Sequence, residues 1–293
     1  MHNEPQNNVG ILGATSLVGE CLLQRLERNS CHVTAFSRQL VKQDHNQVTW
    51  HQLVNTKSVA PETIPLWICV APIWTLPDHF NLLLAHGAQR IIVLSSTSRF
   101  TKNNSSDPAE QLIAQRLQEY EARLRKWAMA NNIDWIILRP TLIYGLGRDK
   151  NITEITRFIQ RFGFFPLFGP AKGLRQPIHA EDVAIACFNS LFSSDITNQA
   201  YNLAGGETLS YRDMVNKIFA ALQRTPRLVT VPRWFFRLAI RSVCWLPRYR
   251  HWTTAMAERM NTDLIFDCTE AKQDFNLSPR IFKLVPKDLP LKT

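Results

Sequence analysis

The chain has 293 residues, 45% of them hydrophobic, and a formal net charge of +10 at pH 7. This length and apolar content allow a large buried core, which excludes a mainly disordered protein. The excess of Lys and Arg favours anionic partners such as nucleotide cofactors, nucleotide sugars, nucleic acid or an acidic membrane surface, without choosing among them.

Short apolar runs alternate with longer amphipathic segments through the first half of the chain. This alternation is typical of a parallel sheet with crossover helices, and therefore of an α/β protein. The predicted strands are Val9–Leu12, Val33–Phe36, Val48–Trp50, Leu66–Ala71, Ile91–Leu94 and Trp135–Leu138.

A helix is predicted between the last two of these strands. Asp107 can cap its N-terminus, Pro108 suits its first position, and Glu110 stands where it would complete a capping box. An apolar stripe follows at helical spacing, formed by Ile113, Leu117, Tyr120, Leu124 and Trp127.

The second half of the chain has a different pattern, which indicates a second lobe. The Phe-, Gly- and Pro-rich passage from Arg161 to Pro177 predicts loops rather than regular elements. Helical patterns return at Ala180–Leu191 and Tyr211–Leu222.

A small-residue turn joins the first predicted strand to a helix at Glu20–Arg28. Such a turn lets the backbone approach a pyrophosphate, and the helix N-terminus supplies free N–H groups and a favourable dipole. An ordinary strand-to-helix turn also requires small residues, so this alternative stays open. The candidate phosphate-binding residues are Gly13, Thr15, Ser16, Leu17 and Val18.

Several motifs occur together in one order along the chain. They are VGILGATSLVG at 9–19, LSST at 94–97, LRPTLIYG at 138–145, RQPIHAEDVA at 175–184 and YNLAGG at 201–206. The series resembles the extended and atypical short-chain dehydrogenases/reductases, the NAD(P)-dependent epimerase/dehydratase family. Ser16 replaces the middle glycine of that family's GxxGxxG fingerprint.

The resemblance implies a Rossmann-type, doubly wound parallel sheet with a smaller C-terminal α/β substrate lobe. We expect a dinucleotide-binding core over residues 1–150, to which residues 176–204 return, and a substrate lobe mainly over 151–293. Besides the glycine-rich turn, the resemblance implies that the cofactor is bound by Ser37, Arg38, Ala71, Pro72, Ser95, Pro140 and Thr141.

Arg38 after the second predicted strand bears on which dinucleotide is bound. An Asp or Glu there holds the ribose of NAD, whereas a cation accommodates the 2′-phosphate of NADP. Arg38 and Ser37 therefore favour NADP(H), with NAD(H) as the alternative, and a solvated surface arginine is the other interpretation of Arg38. The family's Asp near the adenine is absent, because the chain has His51-Gln52-Leu53.

The catalytic residues depart from the family pattern. The resemblance implies a Ser or Thr on the fifth strand, which Thr97 supplies, and a Tyr followed four residues later by Lys, which the helical segment lacks. Tyr120 is the one tyrosine there, and its place on the apolar stripe favours a core residue over an acid. Arg116 cannot replace the lysine, because guanidinium does not relay protons at neutral pH.

Three residues of the fourth motif are further candidates. Arg175 stands where the family holds the pyrophosphate of a nucleotide sugar, and a surface ion pair is the alternative. His179 and Asp182 lie at a helix start, where the carboxylate is expected to accept from backbone donors.

A basic apolar segment at 233–250 includes five arginines, and two interpretations of it are open. It can lie in a membrane interface, or it can pack over the substrate cleft with its arginines in solvent, which we favour. Nucleic acid is not expected as a partner, because no binding module accompanies the charge. The sequence does not decide whether the protein forms a homodimer.

Cysteine spacing and the N-terminal residues bear on the compartment. The six cysteines form no CxxC pair and have no nearby histidine at ligand spacing, so neither a metal site nor a disulfide framework is expected. The first eight residues do not resemble a secretory signal. We therefore expect a cytoplasmic protein, with peripheral contact at the inner face of a membrane as the variant that 233–250 allows.

Two functions follow from these observations. The leading hypothesis is an NAD(P)-dependent oxidoreductase or epimerase-like enzyme that acts on a nucleotide sugar or another carbonyl compound. The missing YxxxK pair motivates the alternative, a non-catalytic dinucleotide-binding protein with a structural or redox-sensing role, like an accessory subunit of respiratory complex I or a related regulator.

Overall fold

A computed structural model describes residues 8–39, 41, 47–53, 62–231 and 258–290. The basic apolar segment 233–250 lies outside the described residues, so neither interpretation of it can be compared with the structure.

The centre of the molecule is a seven-stranded sheet in which every neighbouring pair is parallel. The strand order is β11-β6-β5-β4-β1-β2-β3. The inner strands are continuous apolar runs because both faces of the sheet are covered. The strands are β1 Asn8–Leu12, β2 His32–Ser37, β3 Val48–Gln52, β4 Leu66–Cys69, β5 Arg90–Leu94, β6 Asp134–Pro140 and β11 Gln199–Leu203.

Helices cover the two faces of the sheet. On one face, the first and sixth helices pack on each other over a core that includes Leu22 and Val183. On the other face, the long fourth helix contributes Leu117 and Leu124 to a second core. The helices are α1 Leu17–Arg28, α2 Phe80–Ala85, α3 Ser98–Thr101, α4 Pro108–Ala130, α5 Ile152–Phe162, α6 Ala180–Phe192, α7 Tyr211–Ala221 and α8 Thr269–Asp274, with 3₁₀ turns at Ile73–His79 and Pro286–Asp288. The predicted doubly wound α/β fold is confirmed.

A smaller lobe follows the sheet and has its own core. Helices α5 and α7 pack together there, and Phe165, Met214 and Phe282 are buried between them and neighbouring segments. Its short strands are β8 Phe165–Phe168, β9 Leu174–Arg175, β12 Leu209–Ser210 and β13 Leu228–Val231, and β7 Ile143–Tyr144 pairs with β10 Ile178–His179 nearby.

The expectation of loops throughout Arg161 to Pro177 is wrong. That passage contains the end of α5 and the strands β8 and β9. β8 pairs in parallel with β13, whose residues lie about sixty positions later, and β9 pairs with β12. Partners this distant in sequence leave no local periodicity by which either short strand can be predicted.

The N-terminus of α4 is capped largely as predicted. Asp107 accepts a hydrogen bond from the Ala109 amide at 2.9 Å, and Pro108 occupies the first turn. Glu110 does not complete the capping box. Its carboxylate accepts from Ser105 Oγ at 2.7 Å and pairs with Arg259.

Two smaller observations concern the whole described chain. The five cysteines in it are buried, and none is in a disulfide. Among the described helices, none has both the length and the apolar character needed to span a membrane.

Candidate functional site

A cavity of about 790 Å³ lies at the carboxyl ends of the central strands. The chain reaches its border directly after β1, β4, β5 and β6. β1 lies between β2 and β4, so the strand order reverses its direction here. Ligands of open α/β sheets bind at such a switch point.

The turn after β1 is packed tightly against the loop after β4. Gly13 has φ +89°, and a Cβ atom on it would lie 2.5 Å from the backbone nitrogen of Ala71. That amide donates to Leu12 O at 3.2 Å, which fixes the two loops together. A side chain at Gly13 would therefore push the loops apart at the point where both border the cavity.

Helix α1 presents its N-terminus to the cavity. Ser16 is the N-cap, and its Oγ accepts from the Gly19 amide at 3.1 Å. The amides of Leu17 and Val18 have no acceptor within the described part of the chain, and both residues line the cavity. Two free N–H groups, the Ser16 hydroxyl hydrogen and the helix dipole suit a bound pyrophosphate, so the residues present fit a dinucleotide.

The cavity brings together most of the predicted site residues. Those that line it are Ser16, Leu17, Val18, Ala71, Pro72, Ser95, Thr97, Thr141 and Arg175. Those that do not are Gly13, Thr15, Ser37, Arg38, Pro140 and Tyr120. Tyr120 is half-buried and packs against the core under α4, as the apolar stripe predicts.

Ser37 and Arg38 lie at the carboxyl end of β2, next to β1. The Ser37 Oγ accepts from the Gln39 amide at 3.2 Å, and the Arg38 carbonyl accepts from Gln52 Nε2 at 3.3 Å. The Arg38 side chain is exposed and pairs with no carboxylate of the described residues. It lies beside the end of β1 but does not line the cavity.

Thr97 is buried against the end of β6. Its Oγ1 donates to the Pro140 carbonyl at 3.2 Å, and its amide donates to the same oxygen at 3.2 Å. Ser96 beside it accepts from the Ser98 amide at 3.1 Å, so its own hydroxyl hydrogen is not used in that bond. Ser96 is thus the better placed of the two to donate to an oxygen in the cavity.

Helix α4 contributes only apolar side chains to the cavity lining. The two α4 residues on the border are Ile113 and Leu117, four positions apart and therefore on one face of the helix. A YxxxK pair that reached a molecule in this cavity would need two such positions. Neither residue can exchange a proton, so any proton must come from elsewhere.

A buried ion network lies directly behind Ser95. Glu121 has no exposed surface. It accepts from Ser95 Oγ at 2.5 Å, from Arg99 at 2.5 Å, and from Arg139 at 2.6 and 3.1 Å. The two guanidiniums and one carboxylate leave an excess positive charge beside the cavity, which favours an anionic ligand. Ser95, expected to bind the cofactor, has already donated its hydroxyl hydrogen.

Arg175 is only 4% exposed, so the alternative of a surface ion pair is wrong. Its guanidinium donates to the carbonyls of Leu174 and Thr262, both at 2.7 Å, and of Arg259. It also lies over the Tyr211 ring at 5.6 Å. The pKa of Arg175 is lowered to about 10, mainly by burial and to a smaller extent by the nearby Arg259. The residue fastens the segment 258–266 to the lobe.

His179 and Asp182 are structural, although their roles differ from the expectation. His179, not Asp182, caps α6, because its Nδ1 accepts from the Glu181 amide at 3.1 Å. Its Nε2 lies 3.1 Å from Asp288. Asp182 accepts from the backbone amide and guanidinium of Arg280, both at 3.0 Å, and so holds a later segment in place.

Residues 258–266 form one wall of the cavity, and the sequence did not predict this role for them. Arg259, Met260, Leu264 and Phe266 line the cavity. The Asn261 side chain binds Ala171 N at 2.9 Å and Phe168 O at 2.7 Å, which fastens the wall to the lobe. No local motif marks these residues, because each of these contacts spans about ninety positions of sequence.

Comparison with known proteins agrees with this architecture. The fold, with its cavity at the switch point of the sheet, is that of a Rossmann-type α/β protein, and solved epimerases share this architecture. UDP-glucuronic acid 4-epimerase from Bacillus cereus, solved in complex with NAD, superposes with a TM-score of 0.69 at 13% identity and covers 94% of this chain and 92% of its own. The chain therefore has the fold of the extended short-chain dehydrogenases/reductases, as the motif series predicts.

Relatives found by sequence cover less of the chain. An uncharacterized protein y4nG from Sinorhizobium fredii is 21% identical over 207 residues, which are 67% of this chain and 51% of that protein. UDP-glucose 4-epimerase from Vibrio cholerae is 22% identical over 120 residues, 41% of this chain and 37% of the epimerase. The chain thus matches about half or less of the length of these relatives. No family model matches it.

Proposed function

We propose that the cavity binds a nicotinamide dinucleotide and that the protein is an oxidoreductase or epimerase-like enzyme acting on a nucleotide sugar or another carbonyl compound. The observation that carries the proposal is the α1 N-terminus, with its free amides at Leu17 and Val18, at the switch point of a parallel sheet. The Bacillus cereus epimerase of the same fold was solved with NAD.

In this proposal Leu17, Val18 and Ser16 hold the pyrophosphate. Ala71 and Pro72 border the adenosine half, and Thr141 lies toward the nicotinamide half. The dinucleotide supplies hydride donation and acceptance when it is bound. The residues of the chain orient the reactants and exclude water, and the Ser96 hydroxyl can hold the substrate oxygen.

We further propose that NADP(H) binds more tightly than NAD(H). The exposed Arg38 guanidinium at the end of β2 has no carboxylate partner among the described residues, and it can form two charge-assisted hydrogen bonds with a 2′-phosphate. Neither β2 nor the two residues directly after it, Arg38 and Gln39, carry an acidic side chain that would repel that phosphate.

Calorimetric titration with NADPH and NADH tests both parts. We expect Arg38→Asp to weaken NADPH binding ten- to a hundredfold, because it removes about 1.5–3 kcal/mol of charged hydrogen bonding, and to change NADH binding far less. Lys126→Asp is the matched control, because this exposed residue on α4 makes the same charge change away from the cavity. Equal affinities for both dinucleotides would contradict the preference, and no binding of either would contradict the site.

One observation favours a second candidate, a dinucleotide-binding protein without turnover. The cavity face of α4 has Ile113 and Leu117 and no group that can exchange a proton. A screen of carbonyl substrates with NADPH, and of nucleotide sugars for epimerisation, distinguishes the two candidates. Dinucleotide binding without turnover of any compound would favour the non-catalytic role.

A further inference from the structure

Arg148 lies on the loop that leads from β7 into α5, and its side chain contacts the start of α1. Its guanidinium pairs with the carboxylate of Glu20 in the first turn of α1 and donates to the Thr15 carbonyl, just before the N-cap, at 3.4 Å. Arg148 lines the cavity together with Leu17 and Val18. A cation from outside the glycine-rich turn therefore lies beside the free amides of the α1 N-terminus.

The loop that carries Arg148 is fixed on both sides of this residue. Before it, the Leu146 amide donates to Asp288 Oδ1 at 3.2 Å. After it, the buried Asp149 accepts from the amide and the hydroxyl of Thr153 at 3.2 and 2.9 Å. Because the backbone at Arg148 is already held in place, a ligand that uses this side chain has less conformational freedom to restrict.

The ion pair with Glu20 leaves much of the guanidinium free to donate. A guanidinium has five N–H groups, and two of those of Arg148 have a partner in the described part of the chain. The Arg148 side chain is 52% exposed, so its other N–H groups are open to a ligand in the cavity. Arginine forms two parallel charge-assisted hydrogen bonds with a phosphate, and it is therefore suited to a pyrophosphate at this place.

We infer that Arg148 binds the pyrophosphate of the dinucleotide. The inference rests on the proposed function and adds to it a ligand from the loop between β7 and α5. In the bound protein the guanidinium donates to a phosphate oxygen and also neutralises Glu20, whose carboxylate would otherwise repel the phosphates.

A purely structural ion pair between α1 and the loop is the alternative role of Arg148. The two roles predict different results when Glu20 is changed. If the pair only joins two parts of the chain, removal of either partner should have the same effect on the cofactor. If Arg148 binds phosphate, only the loss of the arginine should weaken binding.

Calorimetric titration of the full chain with NADPH, NADH and ADP tests the inference. We expect Arg148→Ala to weaken the binding of all three about tenfold, because each contains the two linked phosphates. Arg148→Lys keeps the charge without the planar fork and should recover part of the loss. Similar losses for NADPH and NADH distinguish this residue from Arg38, whose replacement should affect mainly NADPH.

Two further variants serve as controls, and circular dichroism first establishes that all variants are folded. Glu20→Gln should bind the three ligands as tightly as the wild type or more tightly, because the guanidinium stays and a nearby negative charge is gone. Arg28→Ala removes the same charge from an exposed position in the last turn of α1, away from the cavity, and should leave binding unchanged.

The inference is overturned if Glu20→Gln or Arg28→Ala weakens binding as much as Arg148→Ala does. It is also overturned if ADP binds to Arg148→Ala as tightly as to the wild type, because the contact would then lie elsewhere than at the pyrophosphate. A wild-type chain that binds none of the three ligands contradicts the proposed function and the inference with it. Wild-type binding that Arg148→Ala retains in full contradicts only the role of Arg148.

Discussion

At the scale of single residues, the Glu121 network has the largest expected effect on stability. Glu121 is the one carboxylate bonded to both Arg99 and Arg139, and it has no exposed surface. Removal of one partner of a buried ion pair leaves the other charges uncompensated, which typically costs about 3–5 kcal/mol. The intact network is therefore expected to add little net stability, whereas removal of one of its charges is expected to destabilise the protein strongly.

We expect Glu121→Gln to lower the free energy of unfolding by about that amount, measured by urea denaturation at pH 7. Glu119→Gln, an exposed change two positions away on α4, should alter it by less than about 0.5 kcal/mol. If the two variants were equally stable, the network would not be structural.

Residue by residue, the sequence predicted the part of the cavity next to α1 better than the part formed by the smaller lobe and residues 258–266. Ser16, Leu17, Val18, Ala71 and Pro72 line the cavity because the turns after β1 and β4 are local structures with recognisable composition. The role of Arg175 could not be predicted in the same way. Its partners Arg259 and Thr262 come together with it only in the folded lobe.

At the scale of elements, α4 depends on its capped N-terminus. Asp107 satisfies the Ala109 amide, and the same turn holds Glu110 against Arg259 of the cavity wall. A frayed first turn would thus loosen both the helix and the wall.

We expect Asp107→Ala to destabilise the protein by about 1 kcal/mol, because an alanine cannot accept from the amide. Asp107→Ser, which keeps an acceptor, should recover most of the loss. Thermal unfolding followed by circular dichroism at 222 nm provides the comparison. An Asp107→Ser variant as unstable as Asp107→Ala would mean that the side chain acts by its charge instead.

The elements of the sheet and the helix α7 of the smaller lobe were predicted well, whereas the short strands of that lobe were not. Each inner strand is a continuous apolar run followed by a turn and an amphipathic helix, so its identity is encoded within a few residues. β8 contains Pro166, which disfavours a strand, and it is stabilised by pairing with β13. Such a strand can be recognised only together with the strand with which it pairs.

At the scale of the whole molecule, a late segment joins the sheet to the smaller lobe. Tyr201 of β11 donates to Asp274 at 2.5 Å, and Asn189 of α6 donates to the Phe275 carbonyl at 2.8 Å. Farther on, Asp288 accepts from His179 at 3.1 Å and from the Leu146 amide at 3.2 Å. These contacts fasten residues 269–290 to the sheet and its helices, and Phe282 of the same segment is buried in the core of the smaller lobe.

The Asp288 contacts make stability depend on pH. Burial alone would raise the pKa of Asp288, but the hydrogen bonds from His179, Val285 and Leu146 outweigh it and hold the pKa below the usual 3.8. A lowered folded-state pKa contributes stability that is present above the unfolded-state value. That contribution is lost as the pH falls through the folded-state value.

We therefore expect Asp288→Asn to destabilise the protein by about 1–3 kcal/mol at pH 7 and by much less at pH 3, in urea unfolding at the two values. Asp195→Asn is the control, because Asp195 is exposed on the loop after α6. A loss that is the same at pH 3 and pH 7 would show that the carboxylate charge is not what stabilises the segment.

The position of the wall 258–266 in the chain has a consequence for biosynthesis. The ribosome makes every strand of the seven-stranded sheet, including β11 at Gln199–Leu203, before it reaches the wall. Domains form in the order in which they emerge. The sheet and the α1 N-terminus can thus take shape on a nascent chain while the cavity is still open to water on the side that residues 258–266 later close.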